Sequence, residues 1–167
     1  MSDTHPAFAT CPRGIESLLL EEIRALGADN VRETIGGVYF DADMPTLYRI
    51  CLWDRLANRV LLPLVQFPVD SADALYDGVR TVDWNEHVPA QGSITVDFNG
   101  TNTHVRNTQF GAVRTKDAVV DIIRDRFGAR PTVERDEPDV RINVHLKRGH
   151  ATVAIDLSGE SLHRRGY

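Results

Sequence analysis

The stretch that most constrains this chain is His104 to Phe127, HVRNTQFGAVRTKDAVVDIIRDRF. Within it Val119, Ile122, Ile123 and Phe127 recur at i, i+3, i+4 and i+8, which is one face of a helix. Gly128 follows where a left-handed C-cap belongs. The apolar stripe anchors the helix, and what precedes it is different in kind. That half carries His104, Arg106, Arg114 and Lys116 and no acid. Backbone N–H groups at a helix N-terminus favour anions, so two Arg, one Lys and Asn107 beside that end suit a phosphate backbone. A solvated helix start with ordinary surface arginines accounts for the same spacing.

Around this helix the chain reads as α+β. Pro6 to Thr10 is a short apolar strand. Ile15, Leu18, Leu19, Ile23 and Leu26 mark a helix face that Gly27 stops. Val31–Ile35 and Val38–Phe40 are β-prone, and Gly36-Gly37 between them fits a two-residue hairpin turn. Asp43 can cap a second helix carrying Leu47, Ile50, Cys51 and Leu52, with Pro45 in its first turn. Arg59 to Val69 closes the unit as a long strand. The order βαββαβ is a ferredoxin-like unit.

A second unit begins near residues 67–72, where Pro68 precedes a new cap at Ser71. Leu75 and Val79 belong to a short helix, and Asp83-Trp84 opens another helical turn. Ile94, Val96 and Phe98 alternate with Thr95 and Asp97 as a half-buried strand. After the long helix comes a charged loop, Arg130 to Asp139. Val140, Ile142, Val144 and Leu146 then alternate with polar residues, Arg148-Gly149 makes a tight turn, and Val153, Ile155 and Leu157 return. This unit reads ααβαββ. The expected division is 1–69, 70–157 and a linker at 158–167.

Composition narrows the function. The net charge of −5 argues against a generic nucleic-acid binder, but the charge is uneven. Residues 1–54 carry 4 basic and 9 acidic side chains, whereas residues 104–167 carry 12 and 9. Of the 19 bases 17 are Arg, whose planar fork fits phosphate and stacks on bases. Such asymmetry points toward a polyanion partner. No apolar run is long enough to span a bilayer and the N-terminus lacks a signal-peptide pattern, so a cytoplasmic location is expected. Cys11 and Cys51 read as free thiols, and the scattered histidines give no metal site.

Other constellations carry less. Lys147-Arg148-Gly149-His150 is a basic hairpin tip, of value only if it lies near Arg106 and Arg114. Cys11-Pro12-Arg13-Gly14 precedes a helix, where a thiolate is favoured, but nothing nearby completes a nucleophilic site. Asp136, Glu137 and Asp139 lie in a Pro-bounded loop and read as solvated carboxylates. His163-Arg164-Arg165 could touch phosphate or form part of a linker. No phosphate-cradling loop and no dinucleotide fingerprint is present, so no cofactor site and no catalytic residue is expected here.

Five segments, TCPRGIESLLLEEIRALGA, IGGVYF, LWDRLANRVLLPL, RNTQFGAVRTKDAVVDIIRD and DLSGESLHRRGY, resemble the N-terminal half of the bacterial large-subunit rRNA guanine-N2 methyltransferases. The resemblance implies a ferredoxin-like domain followed by a THUMP domain, which together present ribosomal RNA to a methyltransferase domain in cis. It implies that His104 to Lys116 is the loop and helix start that meets RNA, with Arg106, Asn107, Arg114 and Lys116 at its polar positions. Lys147 and Arg148 join them as candidates from the hairpin tip. S-adenosylmethionine and methyl transfer then belong to the parent protein, whose glycine-rich loop and Asn/Asp-Pro-Pro motif this chain lacks. Two rivals stand beside this reading. A protein-interaction or spacer module suits the acidic first 54 residues. An acylphosphatase-like hydrolase shares the βαββαβ order, but its G-x-V-Q-G-V-x-x-R loop is missing.

Overall fold

A computed structural model describes residues 3–89, 91–128, 131–133 and 138–158. The described residues divide into two compact units, one running to Pro63 with Asp156–Ser158, the other Leu64–Ile155. The changeovers fall at Pro63–Leu64 and Ile155–Asp156, whereas the sequence places them near 67–72 and after 157. β4, Arg59–Pro68, is the long strand expected from the sequence, and it runs through the first changeover.

The first unit has the expected βαββαβ order: β1 (His5–Thr10), α1 (Glu16–Ala25), β2 (Asp29–Thr34), β3 (Gly37–Ala42), α2 (Met44–Trp53) and the start of β4. Its strands lie in the order β2-β3-β1-β4. β1 pairs antiparallel with β3, Ala7 opposite Phe40 and Ala9 opposite Val38. These four side chains are buried, as are Leu19 and Ile23 of α1 and Leu47 and Ile50 of α2. On the opposite face Phe8 and Tyr39 stack with centroids 4.6 Å apart. Asp43 caps α2 as expected, accepting from Thr46 N at 2.9 Å.

Two sequence expectations shift by a residue or a face. The hairpin turn is Ile35-Gly36, and Gly37 already pairs with Thr34 in the ladder. Gly37 is needed for space: a Cβ there would lie 2.4 Å from the Phe8 ring and 2.5 Å from Ala9 O. Leu18, placed on the apolar face of α1, is 60% exposed, because only Leu19 and Ile23 of that helix reach the core.

The second unit holds the end of β4, α3 (Ala72–Val79), a 3-10 turn (Trp84–Glu86), β5 (Ser93–Asn99), α4 (Thr108–Phe127), β6 (Thr132–Val133), β7 (Val140–Lys147) and all but the last residue of β8 (His150–Asp156). The order is β8-β7-β5-β6, with β5 parallel to both β6 and β7. Ile94, Phe98, Val119, Ile123, Ile142, Val144 and Val153 form its core with Leu75, Val79 and Trp84. The expected second helix is only the 3-10 turn. Trp84 is fully buried and its Nε1–H donates to Val79 O at 2.9 Å, which ties the segment down before a helix can propagate. β6 has no signature in the sequence, since it is two residues long and exists only by pairing with Ser93 and Ile94.

Asp139 is not a solvated loop carboxylate. It accepts from Ser93 N at 2.8 Å while its own N–H donates to Ser93 Oγ at 2.9 Å, pinning the starts of β5 and β7 together. Asp136, Glu137 and the His163-Arg164-Arg165 stretch lie outside the described residues. No helix among the described residues is long and apolar enough to cross a membrane.

Candidate nucleic-acid interface

The α4 helix starts at Thr108, earlier than its apolar stripe suggests, because Asn107 is a true N-cap: its Oδ1 accepts from Phe110 N at 2.7 Å. Its core face is Thr115, Ala118, Val119 and Ile123, and Gly128 at φ 73 ends it as expected. α3 lies alongside and runs parallel, since Asp73, Tyr76 and Arg80 meet Arg114, Asp121 and Asp125 in that order. Ser71 caps α3 by accepting from Ala74 N at 3.0 Å. The two N-termini, each the positive end of a dipole, therefore point toward the same end of the unit, with α4 starting about 8 to 13 Å earlier than α3 along their shared direction.

The hairpin tip is brought to this same end by a chain of hydrogen bonds. Val69 N donates to Gly149 O at 2.8 Å, and Val69 O accepts from Asn102 Nδ2 at 3.1 Å. Asn102 Oδ1 in turn accepts from His104 N and Val105 N, both at 2.8 Å. Asn102 N also donates to Val105 O at 2.9 Å. Asn102 thus shapes the loop that carries Arg106 and links it to the turn that carries Arg148. That turn has Arg148 at φ 54 and Gly149 at φ 79, the left-handed pair that a two-residue hairpin requires. Asn102 reads in the sequence as one more polar loop residue, and only its bonding partners reveal its role.

The six candidate residues fall into three groups. Arg106, Lys147 and Arg148 are exposed at the shared end, and Arg106 Nε donates to Thr103 O at 3.3 Å. Asn107 is there too, with its acceptor committed to the cap. Arg114 faces α3. It meets Asp73 at 3.3 Å and lies 4.3 Å above the Tyr76 ring, the geometry of a brace between helices. The Tyr76 hydroxyl donates to Asp121 at 2.5 Å and accepts from Arg80 at 2.8 Å, and the Asp121 hydrogen bond pushes the phenol's pKa up. Lys116 lies about 200° around the helix from Arg114, and its Nζ meets Asp117 at 2.9 Å. Phe110 and Val113, 40% and 46% exposed, lie on the outer face of the same turns. The sequence offers one signal for them, apolar residues off the core stripe.

Elsewhere, Cys11, the thiol singled out in the sequence, is buried. Burial, with the Glu16 and Asp54 carboxylates, pushes the Cys11 thiol up, so the thiolate suggested by its place before α1 is disfavoured. The amides of the β1–α1 and β2–β3 turns are engaged by the chain's own carboxylate. Glu16 accepts from Gly14 N at 2.6 Å and Gly36 N at 3.0 Å, and the Gly36 bond holds its pKa down. Among the described residues no cluster of His, Cys, Asp and Glu could hold a metal ion. The β5–α4 crossover carries Gly100, where a Cβ would lie 2.0 Å from Leu146 O. That glycine serves internal packing, since any side chain there would strike the Leu146 backbone.

Residues 69–156, which contain this whole interface, match the THUMP domain, and residues 7–61 match the RlmL ferredoxin-like domain. The chain belongs to the THUMP family. This THUMP protein is similar to the ribosomal RNA large subunit methyltransferase K/L of Cellvibrio japonicus, 55% identical over 98% of the chain and 22% of the relative. It is 50% identical to the same-named protein of Pseudomonas aeruginosa over all of the chain and 23% of the relative. The chain thus spans under a quarter of the length of these relatives. Among solved structures it resembles SMU.472, a putative methyltransferase complexed with SAH, at 27% identity and a TM-score of 0.80. That match covers 93% of this chain and 42% of the other.

Proposed function

We propose that this chain is the RNA-recognition part of a cytoplasmic, S-adenosylmethionine-dependent methyltransferase acting on guanine N2 of large-subunit ribosomal RNA. Residues 1–69 form the ferredoxin-like domain, 70–157 the THUMP domain, and 158–167 lead toward a methyltransferase domain in cis that binds the cofactor. The observation that carries the reading is the Gly149–Val69–Asn102 relay, which supports a grouping of Arg106, Lys147 and Arg148 at the end of the unit from which α3 and α4 start. The names of the relatives support the choice of ribosomal RNA. Arg106, Lys147, Arg148 and Lys116 meet phosphates, Asn107 offers its amide N–H groups to a base or ribose, and Arg114 holds the α4 platform against α3.

Binding of this kind is electrostatic and salt-sensitive. Neutralising about 3–4 phosphates of single-stranded RNA gives a log–log salt slope of roughly −2 to −3. The test is filter binding of large-subunit rRNA fragments at several salt concentrations, comparing Arg106→Glu with Arg24→Glu. Arg24 lies in the other unit, exposed beside Glu21, and the two changes alter net charge equally. Arg106→Glu is expected to weaken binding and to flatten the slope by about 0.7 for each phosphate that is no longer neutralised. Equal weakening in the two variants would refute the site.

A further inference from the structure

On α4, Phe110, Val113 and Lys116 are spaced i, i+3, i+6 and line one row of the helix surface. The core-facing row, with Thr115, Ala118 and Val119 buried, lies on the other side. Among the described side chains of this helix, Phe110 and Val113 are the large hydrophobics left exposed, at 40% and 46%. They break the rule that the outer face of a core-packed helix is polar. From His104 to Lys116 the chain carries no acid, and the row has Arg106 just before its start and Lys116 at its end, with Asp73 of α3 meeting Arg114 alongside. The first acid, Asp117, lies beyond and meets Lys116 at 2.9 Å. Phe110 is also held in place, its own N–H bonded to the Asn107 cap at 2.7 Å.

An exposed aromatic ring on a rigid element, flanked by cations in an acidic protein, matches one chemistry well. Nucleotide bases stack on aromatic rings while neighbouring cations hold the phosphates. We propose that Phe110 and Val113 form a ledge on which one unpaired base of the RNA stacks, with Arg106 and Lys116 engaging the flanking phosphates. This deepens the RNA-binding reading and rests on it. A ledge of this kind selects unpaired over fully duplexed RNA, because a base inside a helix has no free face to offer.

The experiment uses the full chain and a short single-stranded oligoribonucleotide carrying a fluorescent purine analogue. Affinity and stacking-induced quenching are measured for wild type, Phe110→Ala, Phe110→Leu and Phe110→Tyr at two salt concentrations. Phe110→Ala and Phe110→Leu are expected to weaken binding roughly 5- to 100-fold, with the quenching abolished and the salt slope unchanged. Phe110→Tyr is expected to keep both affinity and quenching. Because the ring is exposed, the thermal midpoints should agree within a few degrees, which separates a stacking defect from a folding defect. Wild-type affinity and quenching in Phe110→Leu would overturn the ledge and leave the RNA reading standing. A wild type that does not bind would overturn both. Concentration-dependent self-association that Phe110→Ala abolishes would mark the face as an interface between copies and overturn the ledge.

Discussion

Asn102 is the side chain on which the arrangement of the interface depends most, and the cost of removing it can be worked from its bonds. Asn102→Ala removes two acceptor bonds, from His104 N and Val105 N at 2.8 Å, together with one donor bond to Val69 O at 3.1 Å. A typical net value is about 0.5–1.5 kcal/mol per bond, and an enclosed group left unpaired costs about 1–3 kcal/mol. His104 is exposed and its N–H can turn to water, but Val105 is fully buried. The expected total is therefore about 2–4 kcal/mol. Asn102→Asp keeps both acceptor bonds, strengthens them with charge, and gives up only the bond to Val69 O. It should cost about 1–2 kcal/mol. Denaturant unfolding of both variants measures the difference. A destabilisation under about 0.5 kcal/mol for Asn102→Ala would refute the role assigned to this residue. An Asp variant less stable than the Ala variant would show that repulsion between the new carboxylate and Val69 O outweighs the two retained acceptor bonds.

Two further changes probe other parts of the chain. Gly100→Ala places a Cβ 2.0 Å from Leu146 O at φ +94, so backbone must move; Gly14→Ala, at φ +104 with nothing within 4 Å, meets strain alone. Thermal unfolding should show a destabilisation of about 3 kcal/mol or more for the first and about 1–2 kcal/mol for the second, and equal effects would refute the clash argument. In the first unit, burial and the neighbouring Glu22 carboxyl raise the Asp54 pKa to about 6, while the hydrogen bond with Asp54 lowers that of Glu22. The folded state thus holds the Asp54 proton more tightly than the unfolded chain does. Its contribution is complete below the ordinary value of 3.8 and is lost as pH rises through about 6. Asp54→Asn keeps an acceptor for Leu56 N and Ala57 N and can donate to Glu22, so the variant should gain stability over wild type as pH rises through about 6. Denaturant midpoints on either side of that pH check this, and parallel pH profiles would refute it.

Much of the fold is legible in the sequence because its signals are local. Period-2 and period-3.6 patterns, the caps at Asp43, Ser71 and Gly128, and the Arg148-Gly149 turn each depend on residues within a few positions of one another. They suffice for the βαββαβ order and most of the second unit. Where the patterns fail, a distant partner has intervened. Leu18 matches the helix period, yet the sheet behind α1 reaches only Leu19 and Ile23. The Trp84 turn, β6 and the Ser93–Asp139 clasp are all settled by burial or pairing with other elements.

The candidate interface divides in the same way. The basic, acid-free run into α4 can be read directly from residues 104–116. Which of its side chains face outward cannot. Arg114 and Arg106 look alike in the sequence, but Arg114 is drawn onto Asp73, 41 residues away, while Arg106 stays exposed. Asn102 bonds Val69 across 33 residues, and that bond, with the one from Val69 to Gly149, decides that the hairpin tip and the loop share one end. Composition and spacing determine charge, periodicity and turn chemistry, since these are properties of neighbouring residues. The direction of a side chain and the partner of an amide depend on which strands pair and in what register, and only the closed tertiary structure brings those distant groups within hydrogen-bonding distance.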